Sequence, residues 1–279
     1  MNRIDARFRE LKDKGRPALV PYITAGYPHP DATVAVLNAA VEAGADLLEL
    51  GMPFSDVMAD GPVIQEACAR ALEQGTHLDE VLAMVAEFRR GDAHTPVVLM
   101  GYINPIERRG LERFVGEAAE AGVDGLLIVD CPAEEAGDMR SALAAKDLHQ
   151  IFLVAPTTTE ARLERTAELA GGFVYYVSIK GVTGAATLDT DSLAPAVERI
   201  RSRMDLPVAV GFGIRSPEQA AATARAADAV VIGSALVSRL GECGSTEDAV
   251  AVTHQYLAPI REAMDNSAPS PDKQPTLTA

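Results

Sequence analysis

Hydrophobic residues follow two alternating rhythms along this chain. Short, near-continuous apolar runs occupy residues 18–24, 46–50, 96–100, 125–130, 149–154, 173–178, 207–210 and 228–232. Apolar runs of that length predict strands buried on both faces, as in a parallel sheet covered by helices. Between them, apolar residues recur at helical spacing over 32–43, 62–74, 78–90, 111–121, 159–170, 191–203, 216–225 and 246–264. Gly44, Gly91, Gly122 and Gly171-Gly172 close four of these segments, where a left-handed terminal residue is common. Ser216-Pro217-Glu218 opens another with a capping hydroxyl and a first-turn proline.

Eight strands alternating with helices predict an α/β chain with one domain over residues 1–264, a (β/α)8 barrel of the TIM type. The structural rival is an open doubly wound sheet, which places a Gly-rich dinucleotide turn after its first strand. Thr24-Ala25-Gly26-Tyr27-Pro28 is no such turn. Two segments stand outside the repeat. Residues 3–14 carry Ile4, Phe8 and Leu11 on one helical face and predict an extra N-terminal helix that plugs the barrel's N-terminal end. Residues 265–279, rich in Pro and Ser, predict a disordered C-terminal tail.

Composition removes several classes of function. A net charge of −15 argues against nucleic acid or an anionic membrane as partner. No stretch approaches the roughly 18 apolar residues of a membrane span, and Met1–Arg9 lacks a signal-peptide core. Cys68, Cys131 and Cys243 are isolated, which suits free thiols in a reducing, cytoplasmic setting. The five histidines are scattered, so no metal site is expected.

Candidate chemistry collects where the strands end, the active face of such barrels. Glu49 lies near the end of the second apolar run, and the loop behind it delivers Asp56 and Asp60. Strand alternation puts Leu47 and Glu49 on one face and Leu48 and Leu50 on the other, so Glu49 points into the barrel mouth. A carboxyl group tolerated inside an apolar strand usually has a perturbed pKa and a task. The later strands end in glycines: Gly181-Val182-Thr183-Gly184, Gly211-Phe212-Gly213 and Gly233-Ser234, the last opening a short helix. Glycine lets backbone N–H groups approach an anion, and phosphate sites in these barrels form around the last strands. Tyr22, Tyr102, Leu127, Tyr175 and Phe212 lie near strand ends and would line a pocket for a flat aromatic group.

Several motifs resemble those of the tryptophan synthase α-subunit family. They are Pro21-Tyr22-Ile23-Thr24-Ala25-Gly26-Tyr27-Pro28, Glu49-Leu50-Gly51-Met52-Pro53-Phe54-Ser55-Asp56 and Ala59-Asp60-Gly61-Pro62. Leu99-Met100-Gly101-Tyr102-Ile103-Asn104-Pro105, Gly181-Val182-Thr183-Gly184 and Gly211-Phe212-Gly213-Ile214 complete the set. The resemblance implies a (β/α)8 lyase that cleaves indole-3-glycerol phosphate by retro-aldol chemistry to indole and glyceraldehyde 3-phosphate, in L-tryptophan biosynthesis. It also implies an α2β2 complex in which indole passes to a β subunit. Pyridoxal phosphate is expected only in that partner, and no cofactor in this chain.

The resemblance further implies roles for individual residues. Glu49 would move protons, and Asp60 would hold the indole N–H, a task suited to an exposed, ionised aspartate. Gly184, Gly213, Gly233 and Ser234 would hold the phosphate, with Thr183 on a lid. Tyr22, Leu99, Leu127, Tyr175 and Phe212 would line the indole pocket, and Asp56 would face the β subunit. Val57-Met58 replace the family's more usual Pro-Leu, which frees the partner-facing loop. Ala185-Ala186 stand where an arginine often follows the Gly-Val-Thr-Gly motif. Three rival readings share these residues. One is a stand-alone lyase, and another is a phosphosugar isomerase or indole-forming synthase using Lys180. The third, a catalytically silent activator of a β subunit, would be expected to lose Glu49 or Asp60 first.

Overall fold

In a computed structural model, residues 1–177, 190–211 and 213–267 are described. Eight parallel strands close into one barrel in sequence order. They are β1 (Ala18–Thr24), β2 (Leu48–Gly51), β3 (Val97–Gly101), β4 (Gly125–Ile128), β5 (His149–Val154), β6 (Val174–Val177), β7 (Val208–Gly211) and β8 (Ala229–Ile232). Helices α1 (Arg3–Asp13), α2 (Thr33–Glu42), α3 (Pro62–Glu73), α4 (Leu78–Gly91), α5 (Ile103–Arg109) and α6 (Leu111–Ala121) belong to the first half. The second half carries α7 (Gly137–Ala144), α8 (Glu160–Leu169), α9 (Thr190–Arg201), α10 (Pro217–Ala224), α11 (Ser234–Leu240) and α12 (Thr246–Ser267). Among the described residues no helix is long and apolar enough to cross a membrane.

Alternation along the strands sorts the core into two layers. Ala18, Val20, Leu47, Val98, Leu127, Ile151, Phe173, Ala209, Ala229 and Val231 fill the barrel interior. Leu19, Ile23, Leu48, Leu50, Val97 and Leu99 point outward and pack with residues of the helices. Ile4, Phe8 and Leu11 of α1 join the interior layer, and the Phe8 ring lies 5.7 Å from that of Phe173. The N-terminal helix therefore plugs the barrel floor, as its apolar face predicts. Asn2 caps α1 by accepting from Ile4 N–H, while its amide donates to the Asp124 carbonyl at 2.8 Å. Arg3 and Arg89 both reach the Asp124 carboxylate, at 2.8 and 2.7 Å.

Helix α12 is fixed to the same floor by a buried ionic cluster. Arg261, 5% exposed, donates from one nitrogen to the Pro17 carbonyl and to Asp46. Asp46 also accepts from Leu19 N–H at 2.9 Å and from Arg16 at 3.0 Å. Asp265 pairs with both Arg16 and Arg261. These pairs carry α12 through Ser267, so residues 265–267, expected at the start of the tail, are helical. Residues 268–279 lie outside the described residues.

Two helices were not legible in the pattern. Helix α5 begins inside the Tyr-Ile-Asn-Pro motif, where Pro105 in the first turn forfeits no helical hydrogen bond. Helix α7 has only eight residues, too few to express a helical period.

Candidate active site

Register along the barrel wall sets Glu49, the second residue of the short strand β2, between Tyr22 on β1 and Val98 on β3. Its side chain is buried, with the residue 2% exposed, and Oε1 has no hydrogen-bond partner. Burial, and then the charge of Asp60, push its pKa up to about 8. A carboxyl group in that state keeps its proton near neutrality, as a general acid must.

Asp60 closes the loop between β2 and α3, whose start is set by Gly61 at the cap and Pro62 in the first turn. It is half-buried rather than exposed, which corrects the expectation from sequence. The cause is Tyr102, whose hydroxyl donates to Asp60 Oδ2 at 2.7 Å and draws the side chain onto the barrel wall. Burial raises the Asp60 pKa, and the Tyr102 hydrogen bond opposes that rise. Two neighbouring carboxyl groups thus sit in unequal environments, the arrangement by which a site separates acid from carboxylate.

Tyr22 and Tyr175 flank the mouth. Each phenol has its pKa raised well above the ordinary value, chiefly by burial, with Glu49 and Asp60 adding to the effect. Both stay neutral. Each ring also leans across a glycine of the next strand. A Cβ on Gly51 would stand 2.1 Å from the Tyr22 hydroxyl, and one on Gly211 would stand 2.0 Å from that of Tyr175. Only glycine leaves room for these rings to lie along the mouth.

Leu127 sits on the interior face with Tyr175 packed near it. Leu99 does not. It pairs in register with Leu50 and Leu126 and faces the helices with them, so it lies outside the pocket. Strand parity gives its place to Met100, which packs against the interior layer. The motif was visible in sequence, but its inward residue depended on a register that sequence does not state. Tyr102, read only as one more aromatic near a strand end, is the direct partner of Asp60.

At the end of β8, the strand next to β1, Gly233 precedes α11, and Ser234 is that helix's first residue. Leu236 and Val237 N–H both bond to the Gly233 carbonyl, so the open end of the helix presents the amides of Ser234 and Ala235. Gly213 follows β7 with a φ of +74°, a conformation that favours glycine. Thr183, Gly184 and Phe212 lie outside the described residues. Asp56 is exposed and accepts from the Ser55 hydroxyl at 2.7 Å, and Met58 beside it is 84% exposed. Among the described residues no group of His, Cys, Asp and Glu could hold a metal ion.

The family model described as "Tryptophan synthase alpha chain" matches residues 8–267. The tryptophan synthase alpha chain of Thioalkalivibrio sulfidiphilus is 56% identical over 266 residues, covering 95% of this chain and 100% of that one. That of Alkalilimnicola ehrlichii is 56% identical over 269 residues, with 96% and 98% covered. The crystal structure of tryptophan synthase subunit alpha from Legionella pneumophila superimposes with a TM-score of 0.90 at 43% identity, over 95% of this chain and 99% of that one.

Proposed function

Because the chain belongs to the tryptophan synthase alpha chain family, whose members cleave indole-3-glycerol phosphate in tryptophan biosynthesis, we propose the following division of that reaction among its residues. The observation that carries the reading is a buried, proton-holding Glu49 beside a second carboxyl group, Asp60.

The bond that breaks joins ring carbon C3 of the indole to the glycerol chain. For indole to leave, C3 must gain a proton, and the hydroxyl on the adjacent glycerol carbon must lose one as that carbon becomes the aldehyde. Glu49 gives its proton to C3 and, now a carboxylate, takes the hydroxyl proton. It ends the cycle protonated, so no external acid or base is consumed. Protonation at C3 puts positive charge on the ring, which an Asp60 carboxylate facing the ring N–H stabilises. Tyr22, Leu127 and Tyr175 wall the ring, joined by Phe212 and, in place of Leu99, by Met100.

The phosphate tail is assigned to the ends of β7 and β8, at the amides of Gly213, Gly233 and Ser234, with Gly184 and the lid residue Thr183 from the preceding loop. Amides at a helix start favour an anion without a basic side chain, which suits a chain of net charge −15. Gly233→Val is therefore expected to weaken binding of glycerol 3-phosphate about tenfold, the scale of one lost hydrogen bond to a charged group. Calorimetric titration measures it, and unchanged affinity would remove this loop from the site.

Members of this family work with a beta chain. The α2β2 arrangement, with Asp56 and the exposed Met58 against that partner, is part of the proposal. Pyridoxal phosphate is assigned to the partner and no cofactor to this chain. The test is indole release from indole-3-glycerol phosphate by the purified chain, alone and with a tryptophan synthase beta chain. Slow release that rises with the partner supports the complex. Fast release indifferent to the partner would make this chain a free-standing lyase, and no release under either condition would defeat the reading.

A further inference from the structure

Tyr102 follows β3 directly and is 3% exposed, with its ring tilted against Phe54 at a centroid distance of 5.8 Å. Its hydroxyl has two partners on the loop that carries Asp60. It accepts from Ala59 N–H at 3.1 Å and donates to Asp60 Oδ2 at 2.7 Å. A phenol has one proton to give. An N–H can only donate, so the Ala59 amide occupies an acceptor position on the oxygen and directs the proton to Asp60. Accepting one hydrogen bond also strengthens the one donated. Asp60 Oδ1 carries no hydrogen bond among the described residues, which leaves it for a ligand.

We propose that Tyr102 is a positioning residue for the cleavage: it ties one Asp60 oxygen to the barrel wall and turns the other toward the substrate's ring N–H. The inference rests on the role given to Asp60 above. Among the described residues, the groups that face Asp60 are Glu49 from β2, Tyr22 from β1, Tyr175 from β6, Cys68 from α3 and Tyr102 itself. Asp130, beyond β4, acts on Tyr102 in turn. All of these are neutral or acidic, so none helps Asp60 to ionise by opposite charge. Burial drives its pKa up, and the Tyr102 hydroxyl is the group that holds it down.

Tyr102→Phe removes the hydroxyl and keeps the ring on Phe54. The acidic limb of the kcat/KM profile is expected to move up by about one pH unit, so that kcat/KM falls by up to about tenfold on that limb and changes little above it. Glycerol 3-phosphate affinity is expected to stay unchanged, because that ligand is assigned to the ends of β7 and β8, away from Tyr102 after β3. A second reading needs no turnover. The Asp60 carboxyl carbon, assigned in 13C spectra by comparison with Asp60→Asn, is expected to titrate at higher pH in Tyr102→Phe than in the unmodified protein. Equal titration in the two proteins would overturn the proposal, even with activity reduced, since Tyr102 would then only pack. A shifted titration in a protein that does not cleave indole-3-glycerol phosphate would keep the Tyr102–Asp60 link and sink the substrate reading instead.

Discussion

Glu49→Gln is expected to lower the turnover of indole-3-glycerol phosphate about a thousandfold, within the range for loss of a positioned acid–base group. Affinity for glycerol 3-phosphate should change by no more than a few-fold. Glutamine has the same shape and meets the same neighbours, Tyr22 and Val98, so the pocket keeps its form. An amide cannot deliver a proton to ring carbon and recover one from a hydroxyl. On the proposed assignment the donor in the unmodified protein is the protonated Glu49 carboxyl group, whose pKa burial pushes up to about 8. Cleavage should therefore fall as pH rises through that value, and the residual rate of Glu49→Gln should lack this limb. Stopped assays of indole across the pH range measure both effects. A variant retaining more than about a tenth of the rate would end the acid–base assignment.

The second large effect concerns the barrel floor. Arg261→Ala is expected to destabilise the protein by about 3–5 kcal/mol, the usual result of leaving a buried charge without its partner. Asp46 would keep Arg16 and the Leu19 amide but lose its most deeply buried cation. The Pro17 carbonyl would also lose a donor, and Asp265 an ion-pair partner. Burial raises the Asp46 pKa and lowers that of Arg261, so both charges are held at a desolvation cost. The pair is consequently a better fastening than a source of net stability. Urea unfolding measures the change, and a loss under about 1 kcal/mol would mean that Arg16 alone satisfies Asp46.

Much of the barrel was legible because strands covered on both faces leave apolar runs in the chain. The ends of those runs were less so. Gly51, Gly101 and Gly211 close β2, β3 and β7, and a glycine pairs in a ladder as well as any residue without marking itself as apolar. Glu49 could be placed because its strand alternates cleanly with Leu47, whereas the choice between Leu99 and Met100 turned on an inter-strand register that no single run contains. Asp60 was found as a residue, but not its surroundings. Its hydrogen bond to Tyr102 spans 42 positions and is written in no local pattern. The plug helix is the opposite case, since Ile4, Phe8 and Leu11 display their common face within a few turns of chain.

The unpartnered Oε1 of Glu49 has a consequence for how this sequence would respond to selection. An acid whose folded-state pKa is about 8, against an ordinary 4.5, binds its proton more tightly when folded than when unfolded. Its contribution to stability therefore worsens as pH rises from about 4.5 to about 8, and the full penalty persists above that. Position 49 is thus among the few in the barrel wall where an apolar substitution should raise heat resistance. Lineages supplied with tryptophan and selected only for thermal survival should give up this carboxylate early, and restoring the demand for tryptophan should bring it back.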